Sequence, residues 1–156
     1  MSKVEERLKQ LGYALPPPIK RGGEYVHVGA VRSGNLVFLS GVPPRRADGS
    51  AVAGKLGKDI GVEEGYEAAR LCALNLLANL KEEIGDLDKV TRVVKVLGMV
   101  NSTPDFAEQP KVVNGCSELL VQVFGDRGRH ARTATGMAAV PFGLAVHIEM
   151  VVEVAD

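Results

Sequence analysis

Residues 132–154 read RTATGMAAVPFGLAVHIEMVVEV and carry the clearest strand pattern in the chain. From 144 to 154 every second residue is apolar, which predicts a strand with one buried face. The opposite face of this strand carries three polar residues, His147, Glu149 and Glu153. Pro141-Phe142-Gly143 has the composition of a turn, so the stretch predicts a β-hairpin of strands 132–140 and 144–154.

Two helices are predicted upstream of this strand pair. Residues 62–84 have apolar side chains at three- and four-residue spacing, and Gly85 follows where a helix often ends. Pro104, with Thr103 as its cap, suits a first helical position. A second helix is predicted at about 110–124, with one apolar face.

Strands are predicted on either side of the first helix. Residues 25–31 alternate, Ser33-Gly34 supplies a turn and residues 36–39 form a continuous apolar strand, which together predict a β-hairpin. The Val-rich segment 89–101 predicts a long strand. The order is β-hairpin, helix, strand, helix, β-hairpin. This order predicts an α+β fold, in which one largely antiparallel or mixed sheet carries two helices on one face.

The sheet face opposite the helices is predicted to be too apolar to stand in water. Its expected members are Tyr25, Val31, Val93, Leu97, Met99 and Met137. Either the sheet curls over its own loop, or sheets from several subunits pack together. The apolar composition favours the second alternative.

Composition limits the classes of function. The 156 residues carry 19 basic and 19 acidic side chains, a balance that argues against a nucleic-acid partner and against a polybasic membrane anchor. No apolar run approaches the roughly 18 residues of a membrane span, and residues 1–10 have no apolar core of a signal peptide. Two cysteines suit a reducing compartment. We therefore expect a cytoplasmic protein with no membrane partner.

The chain is expected to hold one domain, 21–156, preceded by a short extension, 1–20. Ser2 and Glu5 have the spacing of a capping box, which predicts a first helix. Three consecutive prolines, residues 16–18, form an extended link to the domain.

No motif for metal or cofactor chemistry is present, so neither is expected. A phosphate-binding loop, a dinucleotide fingerprint and Cys/His metal spacing are all missing. His147 and Glu149 could point the same way, but two ligands are too few for a metal site. Cys72 and Cys116 lie on apolar helix faces and are expected to be core residues rather than nucleophiles.

The segment 128–136, GRHARTATG, is the most suggestive of a binding site. Arg132 alternates with Ala134 and Gly136, and a guanidinium above small residues can hold a carboxylate through two hydrogen bonds. Arg129 and His130 add to this local basic cluster. The competing interpretation is a surface arginine paired with an Asp or Glu.

These residues resemble the C-terminal signature of the reactive intermediate deaminase (Rid, or YjgF-like) family, which is also labelled L-PSP endoribonuclease-like. The matching pieces in that signature are Arg132-Thr133-Ala134, Val140-Pro141 and Val146-His147-Ile148-Glu149. Earlier pieces that resemble the family are GNLVFLSG at 34–41, Ala68-Ala69-Arg70, Asn75-Leu76-Leu77, Asp105-Phe106 and Asn114. The resemblance covers about residues 24–155, and the first helix and an insertion near 109–111 indicate a longer subgroup.

The resemblance implies a chorismate-mutase-like α+β fold and a homotrimer. In such a trimer the sheets form a central barrel with the helices outside, and ligand clefts lie between subunits. Members of the family hydrolyse enamine or imine intermediates, such as 2-aminoacrylate, to a 2-keto acid and ammonia without a cofactor. The implied partners are thus a small imine that bears a carboxylate and two further copies of the chain.

Site residues follow from the resemblance position by position. Arg132 matches the arginine that grips the substrate carboxylate, and Gly41 matches a backbone group that lines the cleft. Ser40, Asn114 and Tyr25 match wall positions, Tyr25 with an offset of about two residues. His147 stands where the family has a glutamate that positions water or donates a proton.

The histidine at 147 leaves three functional hypotheses open. The first is hydrolysis of imino acids with Arg132 and His147 as catalytic residues, since a histidine can orient water or transfer a proton near neutral pH. The second is a relative that binds small carboxylates without catalysis. The third is an endoribonuclease or translation inhibitor, which the charge balance disfavours.

Overall fold

In the computed structural model, which describes residues 1–156, the chain forms one five-stranded sheet and three α-helices. The strands are β1 (Ala30–Ser33), β2 (Leu36–Val42), β3 (Val90–Asn101), β4 (Ala131–Met137) and β5 (Val146–Val154). The helices are α1 (Lys3–Gln10), α2 (Val62–Ile84) and α3 (Gln109–Phe124). The predicted α+β class is confirmed. None of the helices has both the length and the apolar character that crossing a bilayer requires.

The helix α2 has the bounds that its sequence predicts. It ends at Gly85, whose φ of +82° suits glycine, and the Gly85 N–H donates to the carbonyl of Lys81 at 2.8 Å. Its buried face packs against α3 and against the inner face of the sheet. These contacts form the middle of a core of 33 buried apolar residues.

The predicted C-terminal β-hairpin is wrong. The strand order is β1-β2-β5-β3-β4, so β3 lies between β4 and β5. β4 runs parallel to β3, and β5 pairs antiparallel with both β2 and β3. The turn at Pro141–Gly143 is confirmed, but the chain then crosses over β3 instead of folding back beside β4. β5 takes the central position because its whole inner face is apolar and buried.

The predicted N-terminal hairpin is shorter than expected. β1 begins at Ala30, and residues 25–29 are not a strand. Immediately before β1, one backbone hydrogen bond still links the chain to β2: the N–H of Ser40 donates to the carbonyl of Gly29 at 2.9 Å. The register of β2 against β5 shifts between Leu39 and Val42, and this irregularity ends the regular ladder.

The predicted helix start at Pro104 is also wrong. The N–H of Phe106 donates to the carbonyl of Thr103 at 3.2 Å, so Thr103 and Pro104 form a turn. α3 begins at Gln109, and Pro110 is the proline of its first turn. Helical propensity at Pro104 is overridden because residues 102–106 close a loop against Leu56.

The open face of the sheet is apolar as predicted, but two of its expected members, Val93 and Tyr25, do not lie on it. Val31, Leu97 and Met99 lie on it, and Phe38 and Val94 add exposed apolar area. Val93 is instead fully buried under the helices. A register shift between Val93 and Lys95 inverts the alternation there, so counting from Leu97 by twos assigns Val93 to the wrong face. Tyr25 precedes β1 and is outside the sheet.

The N-terminal helix α1 packs on the core. Its capping box between Ser2 and Glu5 is confirmed, and Val4 and Leu8 are buried. The carboxylate of Asp88 accepts hydrogen bonds from the N–H groups of Lys3 and Val4 at 2.8 and 3.1 Å. A carboxylate at this end also complements the helix dipole, so α1 is tied to the turn before β3.

Candidate functional site

The predicted site residues form two separate groups. Arg132 and Asn114 lie between β4 and α3. Ser40, Gly41, Tyr25 and His147 line one cavity beside β2 and β5. Arg132 and Asn114 do not line this cavity.

Arg132 is held in a fixed orientation on the edge strand. It pairs in register with Val96 of β3, on the face that the helices cover, and is half-buried. Its Nη1 donates to Asn114 Oδ1 at 2.7 Å and to Ser117 Oγ at 3.2 Å. The five ion pairs of the molecule involve other residues, so the competing interpretation of an arginine paired with an acid does not hold within the chain. The guanidinium keeps donors for a carboxylate.

The small residues predicted beside Arg132 are Ala134 and Gly136. Ala134 lies on the same face of β4 as Arg132 and packs against the core. A Cβ at Gly136 would lie 2.6 Å from Ser102 Oγ and 2.8 Å from Gln109 Nε2, so a larger residue there would have to displace the ends of these two side chains. Both small residues therefore pack against neighbouring parts of the chain, and the floor for a carboxylate stays a prediction.

Only one neighbour in the predicted basic cluster lies against this group. His130 Nδ1 lies 2.6 Å from the carbonyl oxygen of Gly128, which can only accept, so Nδ1 carries the hydrogen. The other ring nitrogen, Nε2, therefore accepts a hydrogen bond from Ser117 Oγ at 2.9 Å. Burial lowers the pKa of His130, which favours the neutral ring. Arg129 is 69% exposed and pairs with Asp126 at 3.6 Å, so it does not join the group.

The second group surrounds a cavity of about 550 Å³. Ser40 and Gly41 form one wall, and the Ser40 hydroxyl donates to the carbonyl of Val28 at 2.6 Å. Tyr25 lies at the rim, edge-to-face with His27 at 5.7 Å between ring centroids. Both rings reach the cavity because residues 25–29 leave the sheet.

Gly41 and His147 depend on each other sterically. A Cβ on residue 41 would lie 2.3 Å from Nε2 and 2.4 Å from Cδ2 of His147, so only glycine leaves room for the imidazole. Burial lowers the pKa of His147, with Glu149 acting in the opposite direction and Arg21 reinforcing the shift. The ring is therefore neutral at pH 7 and can accept a proton.

Two residues of this cavity escaped sequence reasoning, Arg21 and His27. Arg21 Nε donates to His27 Nε2 at 3.2 Å, and its Nη2 donates to the carbonyl of Gly41 at 3.4 Å. Arg21 follows the proline link and precedes two glycines, a context typical of a solvated loop. The basic pair Lys20-Arg21 is the one sequence feature that could have indicated this role, but no neighbouring residue in the sequence predicts its contact with Gly41.

Arg132 and His147 of one chain do not meet. β3 separates their strands, which places them about 10 Å apart along the hydrogen-bonding direction of the sheet. They also point to opposite faces, since Arg132 pairs with the inward Val96 and His147 with the outward Met99. A site that uses both side chains needs two copies of the chain.

Comparison with known proteins identifies relatives over nearly the whole chain. A family model described as "YjgF/chorismate mutase-like, putative endoribonuclease" matches residues 5–154. Protein TCP17 of Trypanosoma cruzi is 43% identical over 152 residues, which cover 97% of this chain and 94% of that protein.

Solved structures share the same arrangement of strands and helices. The protein Atu1372 of unknown function from Agrobacterium tumefaciens superposes with a TM-score of 0.88 at 44% identity, covering 97% of this chain and 91% of that one. A protein described as a "putative endoribonuclease" from Shewanella oneidensis superposes with a TM-score of 0.91 at 31% identity. The match covers 97% of this chain and 99% of that one.

Proposed function

The chain belongs to the YjgF/chorismate-mutase-like family, the Rid family of the sequence resemblance, and we propose that it hydrolyses small 2-imino acids to 2-keto acids and ammonia. One observation carries this proposal. Arg132 is held by Asn114 and Ser117, has no acidic partner in the chain and keeps free donors. Such a guanidinium suits the carboxylate common to imino acids and keto acids.

The reaction depends more on positioning the substrate and the attacking water than on strong acid or base catalysis. Water adds its oxygen to the imine carbon while the nitrogen takes up a proton, which gives a carbinolamine. This intermediate loses ammonia as its hydroxyl proton leaves and the C=O bond forms. An enamine substrate first accepts a proton at C3 and releases one from its nitrogen, which converts it to the imine. Arg132 fixes the carboxylate, and neutral His147 accepts the proton of the attacking water.

The two groups of residues are completed by a second copy of the chain in this proposal. Arg132 of one subunit and His147 of its neighbour would face a common cleft in a homotrimer. The exposed apolar residues of the open sheet face support this assembly, since a monomer rarely leaves such a patch in water. We place the protein in the cytoplasm, where its buried free cysteines, Cys72 and Cys116, stay reduced.

The direct test is an ammonia-release assay on freshly generated imino acids. Imines of alanine, leucine, glutamate and aspartate, together with 2-aminoacrylate, would be compared with and without protein. Acceleration of at least one imine over the rate in buffer supports the proposal. Rates equal to the buffer rate across the panel would exclude it.

The acid dependence of the rate is expected to follow His147. Because burial holds the pKa of His147 below its usual 6.5, the base stays neutral down to that pH. We expect kcat/KM to be level from pH 8 to about 6.5 and to fall only below it as the ring gains a proton. The measurement is a pH profile of kcat/KM for the wild type and for His147→Gln.

The variant profile decides which group is titrating. His147→Gln is expected to be slower at every pH and to lose the acid limb. If the limb persists in His147→Gln, the base is not His147, and His130 is the remaining histidine beside Arg132. A limb centred above pH 6.5 in the wild type would also contradict the assignment.

The assembly has a separate test on the open sheet face. Phe38 is 46% exposed and pairs across the strands with Val31, which is 53% exposed. The wild type is expected to have three times the 16.6 kDa mass of one chain in light scattering. Phe38→Glu would bury a charge in the trimer and is expected to yield monomers. Ala47→Glu, in an exposed turn, should leave the trimer intact, and a monomeric wild type would end the proposal.

Two other functions have specific support. The histidine at 147, in place of the family's glutamate, favours a carboxylate-binding protein without turnover, which would bind keto acids in calorimetry and accelerate no imine. The wording of the family description and of the Shewanella relative favours an endoribonuclease. Cleavage of labelled RNA that Arg132→Ala leaves unchanged would support that function instead.

A further inference from the structure

The cavity beside His147 carries positive charge that its own walls do not neutralise. Lys20 and Arg21 line it together with the two histidines, His27 and His147, and no Asp or Glu is among its lining residues. Neither Lys20 nor Arg21 forms an ion pair. An arginine is charged at every physiological pH, so the field inside this cavity favours an anion.

Arg21 is held in place but incompletely bonded. Its Nε donates to His27 Nε2, and its Nη2 donates to the Gly41 carbonyl at 3.4 Å, a long hydrogen bond. Its Nη1 is buried and has no acceptor. Burial of the group lowers the pKa of Arg21, the expected effect of removing a cation from water. An uncompensated cation of this kind costs stability, which an incoming carboxylate would offset.

A second buried donor near Arg21 is unpaired as well. Asn79 is 4% exposed, its Oδ1 accepts from the N–H of Ile19 at 2.9 Å, and its Nδ2 has no partner. Both orphan donors lie beside Gly29, where a Cβ would be 2.9 Å from Arg21 Nη1 and 3.8 Å from Asn79 Nδ2. Glu82 and Glu83 line the adjacent cavity on this side of Arg21 but do not pair with it.

We propose that Arg21, assisted by Lys20 and His27, binds a second carboxylate of the substrate. The natural substrate is then the imine of a dicarboxylic amino acid. This inference rests on the proposed function, in which Arg132 of the neighbouring subunit holds the carboxylate next to the imine carbon. A carboxylate fits better than a phosphate, because phosphate sites usually add several backbone N–H donors from the N-terminus of an α-helix, and no α-helix begins at this cavity.

Two stable keto acids of equal chain length provide the test. 2-Oxoglutarate and 2-oxopentanoate differ only in the terminal carboxylate, so titration calorimetry of both isolates its contribution. The wild type is expected to bind 2-oxoglutarate at least tenfold more tightly. Arg21→Gln should abolish this preference. Arg92→Gln, an exposed arginine on β3, should keep the preference.

Further variants keep the result interpretable. Arg21→Lys retains the charge without the planar fork and is expected to keep part of the preference, even if Arg21→Gln fails to fold. In turnover, Arg21→Gln should raise KM for the imine of glutamate at least tenfold more than it raises KM for the imine of alanine. Equal affinity of the wild type for the two keto acids, or a preference that survives Arg21→Gln, overturns the proposal.

The outcome separates this inference from the proposed function. Turnover of imines without a diacid preference rejects the second carboxylate and leaves hydrolysis standing. A diacid preference that depends on Arg21, with no turnover of any imine, rejects hydrolysis and supports the anion site.

Discussion

Replacing Arg132 with alanine is expected to lower kcat/KM for imine hydrolysis a hundredfold or more. Two charge-assisted hydrogen bonds to a carboxylate contribute at least about 3 kcal/mol, and each 1.4 kcal/mol corresponds to about a factor of ten. Asn114 and Ser117 fix only one nitrogen of the guanidinium, so the substrate would lose both its binding energy and its orientation. The measurement is ammonia release under kcat/KM conditions.

Two controls distinguish a carboxylate clamp from a general loss of positive charge. Arg129→Ala removes an exposed arginine three residues away and is expected to keep nearly full activity. Arg132→Lys keeps the charge but not the planar pair of donors, so activity should lie between the two. Full activity of Arg132→Ala would sink the assignment of this residue, whatever the reaction proves to be.

Among the glycine-to-alanine substitutions in the helices, Gly115→Ala is expected to cause the largest loss of stability. A Cβ at this position of α3 would lie 1.9 Å from the Tyr66 carbonyl oxygen of α2, far inside van der Waals contact distance. Backbone cannot swing aside as a side chain can, so the two helices must separate. Overpacking of this kind costs about 3 kcal/mol, of which the better helix propensity of alanine offsets roughly 1 kcal/mol.

Urea unfolding followed by circular dichroism would measure this loss. The free energy of unfolding should fall by about 2 kcal/mol, with Tm lower by roughly 4–8 °C. Gly22→Ala is a suitable control, because a Cβ there meets no atom within 4 Å. Wild-type stability of Gly115→Ala would mean that α2 and α3 do not pack as closely as described.

The sequence pattern predicts an element correctly where the residues that start, stabilise and end that element lie within it. Residues 62–84 carry an amphipathic repeat, acidic residues at the start and a glycine after the end, and α2 has these bounds. The capping box of Ser2 and Glu5 is equally local. In both cases the atoms that stabilise the element lie within a few residues of one another, so no knowledge of the rest of the chain is needed.

Pattern failed where a distant partner decided the outcome. Alternation in 132–154 predicts two strands correctly but carries no information on which strands pair, and β3 separates them. Val93 was assigned to the wrong face because a register shift in β3 interrupts its alternation. The loop that contains Pro104 is held in place by a β-bridge between Ser102 and Leu56, which lies far away in sequence.

The sequence by itself determined the α+β class, the helix bounds of α2 and, through Arg132 and its neighbours, the family. Only the tertiary structure decided how the site is divided. It places Arg132 and His147 on opposite faces, brings Arg21 to Gly41, and turns Tyr25 and His27 toward the cavity. The physical reason is that alternation tells which residues share a face of one strand, whereas strand order and loop closure set which faces meet.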